Sequence, residues 1–91
     1  MLKIVASTRF KKDLKIAERR GSNIEELRKV ISIIASENPL PESNRDHPLS
    51  GNYSGYRECH VEPDFLLIYK VVKDRLELLL FRTGSHSDLF K

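Results

Sequence analysis

The chain contains three histidines, and all of them lie in its C-terminal half beside turn-forming or charged residues. His47 follows an aspartate and precedes a proline, His60 lies just before a Val-Glu-Pro-Asp turn, and His86 follows Arg-Thr-Gly-Ser. Histidine is well suited to donating and accepting protons at cellular pH, because the pKa of a free imidazole lies near neutrality. With Asp64 and Arg82 close by in the sequence, the pattern indicates acid–base chemistry on an anionic substrate.

Other uses of histidine and cysteine are less favoured by the spacing. A single histidine is usually a solvated surface residue, but three of three beside turn signals weaken that interpretation. A zinc site would require all three histidines, because the chain has no HxxxH or CxxC pair and Cys59 is expected on the opposite strand face from His60. None of the four glycines belongs to a GxGxxG motif. We therefore predict neither a metal nor a cofactor.

Length and composition restrict the class of protein. A chain of 91 residues forms one domain, residues 1–91, and is too small for a deep cleft, so an active site should be a shallow groove. The net charge of +3 mildly favours anionic partners such as nucleic acid. The single cysteine excludes an internal disulfide, and no apolar run approaches the ~18 residues of a membrane span. We expect a cytoplasmic protein that does not enter membranes.

The first half of the chain has the periodicity of a short strand followed by two helices. Residues 2–7 alternate weakly, as an edge strand does. Thr8 is a suitable N-cap for a helix that ends before Gly21, and Ser22 or Asn23 can cap a second helix. The apolar stripe of the second helix consists of Ile24, Leu27, Val30, Ile31 and Ile34. The two helices should form an antiparallel hairpin that packs on a sheet.

The second half predicts a loop followed by three strands. Residues 37–48 are rich in proline, asparagine and charged side chains, which is typical of a loop. Strand-like segments follow at 54–61, 65–73 and 75–82, and the connections between them are short enough for an antiparallel meander. The predicted architecture is therefore α+β, with an N-terminal edge strand and a helical hairpin packed on a mostly antiparallel four-stranded sheet.

Strand alternation assigns the polar residues to faces of the sheet. Glu58 and His60 should share one face, with Arg57 on the other. In the last strand, Arg82 should lie on the same face as Leu80. If the helices cover one face, the other is free to hold a polar groove, and the three histidines from three segments can converge there.

Four motifs together resemble the RelE/ParE toxin superfamily, in particular its histidine-bearing, YafQ-like branch. They are DHPLSG at 46–51, GYRECHVEPD at 55–64, LIY at 67–69 and RTGSHSDLF at 82–90. The resemblance covers essentially the whole chain. It implies a RelE-like fold, similar to that of microbial ribonucleases, in which helices lie on one side of a small antiparallel sheet.

The resemblance also implies a toxin of a type II toxin–antitoxin module, namely a ribosome-dependent endonuclease that cuts the mRNA codon in the A site. Its partners would be a cognate antitoxin, mRNA on the 70S ribosome and, only through the antitoxin, operator DNA. The catalytic residues expected from their positions in the motifs are His47, His60, Asp64 and His86. The residues expected to contact substrate are Arg57, Arg82 and Phe90. Glu58 stands where relatives carry aspartate, and its role is left open.

Metal-free RNA cleavage requires a base for the 2′-hydroxyl, charge stabilisation at phosphorus and an acid for the 5′-oxygen leaving group. Our hypothesis assigns His86 as general acid and either His47 or His60 as general base. Asp64 would orient one imidazole, and Arg82 would hold the phosphate by bidentate hydrogen bonds. The products would be a 2′,3′-cyclic phosphate and a 5′-hydroxyl.

Two alternative functions are compatible with the same superfamily. One is a non-cleaving corepressor that only binds its antitoxin, and the other is a ParE-like inhibitor of DNA gyrase. The intact set of three histidines speaks against both, because neither function has an obvious use for three titrating side chains.

Overall fold

A computed structural model describes residues 1–90. Its helices and strands are β1 (Lys3–Ala6), α1 (Thr8–Arg19), α2 (Ile24–Ala35), β2 (His47–Pro48), β3 (Arg57–Glu62), β4 (Phe65–Val72), β5 (Glu77–Gly84) and α3 (His86–Leu89). The five strands form one sheet in the order β1-β5-β4-β3-β2, with β1 parallel to β5 and the other pairs antiparallel. The predicted α+β fold is confirmed. No helix in the described part of the chain is long and apolar enough to cross a membrane.

The helix boundaries follow from capping side chains. α1 is capped by Ser7 rather than by the predicted Thr8, because Ser7 is still extended and its Oγ accepts the N–H of Phe10 at 2.9 Å. Of the two residues predicted to cap α2, the structure uses Asn23, whose side chain accepts the N–H of Glu26 at 3.1 Å. Each bond satisfies a backbone donor that the helix itself leaves without a partner.

The main hydrophobic core lies between the two long helices and one side of the sheet. Phe10 of α1 and Leu27 of α2 are buried there against Cys59, Leu67 and Leu78 of three strands. Full burial of a large apolar side chain stabilises the fold by about 1.5–3 kcal/mol. This side of the sheet is therefore closed to substrate.

The other side of the sheet carries a smaller apolar cluster. Leu66 and Ile68 of β4 are buried there with Leu89 of α3, and Tyr53 and Phe81 pack against them. Within residues 1–90 the helices on this side are short, α3 and the 3₁₀ turn Gly51–Tyr53, so polar side chains of β3 remain accessible beside the cluster.

The end of the predicted loop joins the sheet. His47 and Pro48 form β2, in which His47 pairs with Glu58, so the sheet has five strands instead of the predicted four. Just before β2, the side chain of Asn44 donates to the carbonyl of His60 at 2.7 Å. The loop is thereby fastened along β3, which brings two histidines of separate segments together.

The predicted face of Arg82 is wrong because β5 contains a bulge. Tyr69 pairs with Leu80, whereas the preceding Ile68 pairs with Arg82, so Phe81 is an extra residue in β5. A bulge of one residue reverses the alternation of every side chain beyond it. Arg82 therefore lies in register with Ile68 and Glu58, on the face that carries the histidines.

Candidate active site

The three histidines converge on the open face of the sheet, as predicted. The ring centroids of His47 and His60 are 6.5 Å apart, and those of His60 and His86 are 5.6 Å apart. β2, β3 and α3 each supply one ring, with His60 in the middle. Three groups able to carry protons thus lie next to one another on this face.

His47 is held by a backbone carbonyl on one side and a carboxylate on the other. Its Nδ1 lies 2.6 Å from the carbonyl oxygen of Arg45, which can only accept, so Nδ1 carries a hydrogen. Its Nε2 lies 3.4 Å from Oε1 of Glu58. In the neutral ring Nε2 has a free lone pair, and the nearby carboxylate stabilises the imidazolium formed when that nitrogen takes a proton.

Glu58 is a buried carboxylate between two imidazoles. Its side chain is 5% exposed, and its Oε1 lies 3.4 Å from Nε2 of His47 and 3.7 Å from Nε2 of His60. A buried carboxylate is costly unless a cation or donors face it. A protonated histidine meets that requirement, and Glu58 lies close enough to both rings to pair with either. The role of Glu58 was left open by the sequence, and the structure places this residue in the site.

His86 forms a pair with Asp64. Oδ1 of Asp64 accepts the backbone N–H of His86 at 2.9 Å and lies 2.7 Å from its ring Nδ1. These bonds, the backbone one foremost, hold the pKa of Asp64 below its usual range. The carboxylate fixes Nδ1 as the donor and leaves Nε2 free, on a ring that is 54% exposed.

Arg82 is committed to an ion pair at the edge of the site. Its Nε and Nη2 donate to the two carboxylate oxygens of Asp13 in α1, at 2.9 and 3.0 Å, and its side chain is only 13% exposed. Asp13 also accepts the backbone N–H of Thr83. These contacts with Asp13 raise the pKa of the guanidinium. They place Arg82 between the groove face and α1, with few donors left for a phosphate.

Arg57 lies apart from the histidines. It pairs across the sheet with Tyr69, whose ring is buried in the helix-side core. Its Nε and Nη2 donate to Asp46 at 3.2 and 3.4 Å, and the Tyr69 hydroxyl donates to the same carboxylate at 2.5 Å. The cluster holds the residue that precedes His47, which is a structural use of Arg57 rather than a contact with the open face.

Phe90 lies beside the exposed end of the site. The centroid of its ring is 6.4 Å from that of His86. The ring also packs edge-on against Tyr53, with 5.5 Å between the two centroids. The side chain is nevertheless 41% exposed. An aromatic ring that is supported on one side and open on the other is suited to stacking on an unpaired base.

The sequence reasoning overlooked Asn44 and Arg45. A groove of about 770 Å³ passes two of the three histidines, and its lining includes Asn44, Arg45, His60, Glu62 and His86. We call it the histidine groove. Arg45 has a left-handed backbone (φ 47°) and makes no ion pair among residues 1–90. No motif in the sequence marks it, because its position depends on how the loop folds along β3.

Glu58, His60 and His86 could together hold a metal ion. Each offers one ligand atom, and the three atoms lie within 4.8 Å of one another. Imidazole nitrogens with a carboxylate oxygen suit Zn²⁺ or Cu²⁺. The ligands come from β3 and α3, so no short chelating motif announces them in the sequence. That catalysis needs no metal stays a prediction.

Cys59 is a core residue, as the strand alternation predicted. It is fully buried on the helix side of the sheet, and this burial raises the pKa of its thiol to about 12. A thiol that stays protonated at cellular pH is a poor nucleophile.

A small sheet with two helices on one face and a histidine groove on the other defines this chain as a RelE-like toxin domain. The sequence profile of a family described as bacterial toxin of type II toxin–antitoxin system, YafQ, matches residues 2–91. The chain belongs to this family.

Several proteins with similar sequences or structures have been characterised. The mRNA interferase toxin YafQ of Escherichia coli K12 is 42% identical over 85 residues, which cover 92% of this chain and 90% of the relative. A metal-bound toxin from Helicobacter pylori is 47% identical, with a TM-score of 0.92 over 99% of this chain and all of the other. The toxin in the E. coli DinJ–YafQ complex is 40% identical, with a TM-score of 0.88 and full coverage of both chains.

Proposed function

We propose that this chain is an mRNA endonuclease, the toxin of a type II toxin–antitoxin pair, and that it cuts A-site codons on the ribosome by metal-free acid–base catalysis. The observation that carries the proposal is the state of the two outer rings. Each has its Nδ1 fixed by an acceptor, a carbonyl for His47 and a carboxylate for His86, which leaves Nε2 as the nitrogen for proton transfer in both rings, with Glu58 3.4 Å from that of His47.

His47 is the better of the two candidates for general base. It is 46% exposed, whereas His60 is only 16% exposed, so His47 can reach a 2′-hydroxyl more readily. The lone pair on Nε2 takes the proton, and Glu58 at 3.4 Å stabilises the cation that results. Proton transfer by a positioned imidazole contributes about 10²–10⁴-fold to a rate.

His86 is the general acid. Asp64 holds its Nδ1, and in the protonated ring Nε2 has a proton to give to the 5′-oxygen as that bond breaks. The half-exposed ring lies next to Phe90, so a base stacked on Phe90 would bring the leaving group close to the acid.

The ring of His60 lies between those of His47 and His86. A scissile phosphate that reaches both the base and the acid would therefore lie over His60. A ring at this position can donate to a non-bridging oxygen as negative charge grows. Arg45 lines the same groove and is our main candidate for contacting the RNA backbone. Arg82 keeps a secondary role, because Asp13 already occupies two of its nitrogens.

The proposed dependence on the ribosome follows from the shallowness of the site. The groove is open, and of the arginines predicted to bind substrate both are paired with aspartates. Such a surface holds free RNA weakly, since phosphate contacts supply most of the affinity for nucleic acid. A ribosome that presents the codon in a fixed position compensates for this. The E. coli relative forms a complex with DinJ, and we propose that a corresponding antitoxin blocks the groove of this chain.

The decisive experiment incubates the purified chain, stripped with EDTA and then dialysed free of it, with a defined mRNA, with and without programmed 70S ribosomes, in Mg²⁺ buffer free of Zn²⁺ and Cu²⁺. We expect cuts only with ribosomes, at in-frame A-site codons, leaving a 2′,3′-cyclic phosphate and a 5′-hydroxyl. A 5′-phosphate would contradict the mechanism, and activity of the stripped toxin only after Zn²⁺ or Cu²⁺ is added back would contradict metal-free catalysis. No cleavage by folded protein in any tube would favour the corepressor or gyrase alternative.

A further inference from the structure

The proposed acid belongs to a helix that is too short to be stable by itself. α3 has only four residues, and His86 is the first of them. Helix nucleation is unfavourable, so isolated helices shorter than about 12 residues are marginal even in good sequences. The position of the His86 ring therefore depends on whatever fixes α3 to the rest of the molecule.

Asp88 is the residue that closes α3 on itself. Its Oδ2 accepts the N–H of Ser85 at 2.9 Å, and its own N–H donates to the Ser85 hydroxyl at 3.2 Å, which makes a reciprocal capping box. Gly84 lies directly beneath the carboxylate. A Cβ at position 84 would lie 2.9 Å from Oδ2, so the side chain of Asp88 is packed against the backbone at the end of β5.

Arg20, at the C-terminal end of α1, clamps the same carboxylate from outside. Its Nη1 donates to Oδ2 of Asp88 at 2.6 Å and its Nη2 donates to Oδ1 at 3.2 Å, across 68 residues of sequence. Together with the N–H of Ser85, this guanidinium holds the pKa of Asp88 far below its usual range. A bidentate arginine–carboxylate pair restricts orientation as well as distance.

We propose that Arg20 is a positioning residue for RNA cleavage, which acts through Asp88 to hold α3 and hence the ring of His86 in the histidine groove. Arg20 does not line that groove and contacts no group assigned to proton transfer. α3 has three further attachments: Asp64 at its first residue, the buried side chain of Leu89 at its last, and the Tyr53 hydroxyl, which donates to the Leu89 carbonyl at 3.2 Å. Arg20 supplies the link from α3 to α1.

This inference rests on the proposed role of His86 as general acid, so its test separates the two. Ordinary RNA needs an acid for its 5′-oxygen, whereas a 5′-bridging phosphorothioate has a sulfur leaving group that departs without protonation. The substrate is a programmed ribosome whose mRNA carries either atom at the mapped cleavage site. Single-turnover cleavage rates at saturating toxin are compared for wild type, Arg20→Met, Arg20→Lys and His86→Ala.

We expect Arg20→Met to cut ordinary RNA about tenfold more slowly, because small displacements of a reacting group cost one to two orders of magnitude. On the phosphorothioate it should match wild type. Arg20→Lys, which keeps the charge but loses the second hydrogen bond, should fall between. The toxin concentration for half-saturation should not change. Arg19→Met is the matched control, since Arg19 is a neighbouring exposed arginine with no ion pair among residues 1–90, and it should cut like wild type.

A second measurement follows α3 without using activity. The backbone heteronuclear NOE of residues 85–89 in ¹⁵N-labelled protein should fall in Arg20→Met and stay unchanged in Arg19→Met, with the sheet unaffected in both.

The outcomes are distinct. If the phosphorothioate restores His86→Ala but not Arg20→Met, Arg20 acts on binding or folding and the inference is overturned. If it fails to restore His86→Ala, the assignment of His86 as acid fails. In that case an unchanged NOE in Arg20→Met also overturns the positioning role, whereas a reduced NOE supports it.

Discussion

His47 and His86 flank the same central ring, but the molecule holds them by different means. His47 belongs to a strand, and its partners are a backbone carbonyl and a carboxylate that is 5% exposed. His86 belongs to a four-residue helix, and its partner Asp64 is 67% exposed. One position is fixed by sheet register and burial, the other by charged groups that meet solvent.

The difference indicates which half of the site is sensitive to conditions. Interactions between exposed charges are screened by salt and removed by acid, whereas buried ones are screened much less. The base side of the site, around His47, should therefore keep its geometry over a wide range of conditions, and the acid side, around His86, should lose its geometry first.

The largest effect is expected from removing either outer ring. His47→Ala and His86→Ala should each reduce the cleavage rate by about 10²–10⁴-fold, because each removes one proton transfer. Wild type should show a bell-shaped pH dependence, and each variant should lack one limb. Pull-down with the cognate antitoxin checks that both variants are folded. Retention of both limbs by either variant would remove that histidine from its role.

A smaller and unequal effect is expected from the two carboxylates. Glu58→Gln should slow cleavage about 100-fold and Asp64→Asn about tenfold, since an uncharged amide cannot stabilise an imidazolium and the buried position lacks water to replace it. Added salt should reduce the difference between Asp64→Asn and wild type but leave that of Glu58→Gln unchanged. Rates at two salt concentrations measure this. The reverse order of effects would contradict the comparison.

How much of the fold and of the site could be predicted from the sequence depends on how far apart in the chain the contacting residues are. The period of two in a strand was enough to place Glu58 and His60 on one face and Cys59 on the other. It failed for Arg82, because a bulge of one residue leaves no mark in the pattern of apolar and polar side chains. The pairs Arg20–Asp88 and Arg82–Asp13 join residues 68 and 69 positions apart, which no local pattern can predict.

α3 is a different case, because its signal was present in the sequence. Ser85 and Asp88 have the spacing of a capping box, S-x-x-D, which marks the start of a helix. The two-residue strand β2 had no such signal, since it is defined only by its pairing with β3. The sequence thus predicts an element that begins at a helix cap. It does not predict an element whose formation depends on pairing with a distant segment.

An effect on stability is expected at Asp88. The folded-state pKa of Asp88 lies below that of an unfolded aspartate, about 3.9, so its contribution is complete above that pH and is lost as the pH falls through the folded value. Asp88→Asn should lower the free energy of unfolding by about 1 kcal/mol at pH 7. The deficit should shrink below about pH 4. Urea titrations at several pH values test this, with the exposed Asp74→Asn as control.

The smallest effect is expected at Cys59. Burial raises the pKa of the thiol to about 12, so a thiol reagent at pH 8 should modify native protein only as fast as it unfolds. Cys59→Ala should cleave RNA within about twofold of wild type, because the residue packs as a small hydrophobe. Rapid labelling of the folded chain would show that the helix side of the sheet opens more readily than its packing indicates.

Gly84 makes the acid side of the site easy to disable by mutation. If the chain is produced without its antitoxin, we expect surviving cells to carry mutations that inactivate the toxin. At position 84 every other amino acid brings a Cβ to 2.9 Å from the Asp88 carboxylate, on a backbone with φ of 152°. Any missense change in that single codon therefore requires the Asp88 side chain to shift, and we expect this to weaken the capping box that holds α3. Selection for survivors should return to this glycine repeatedly.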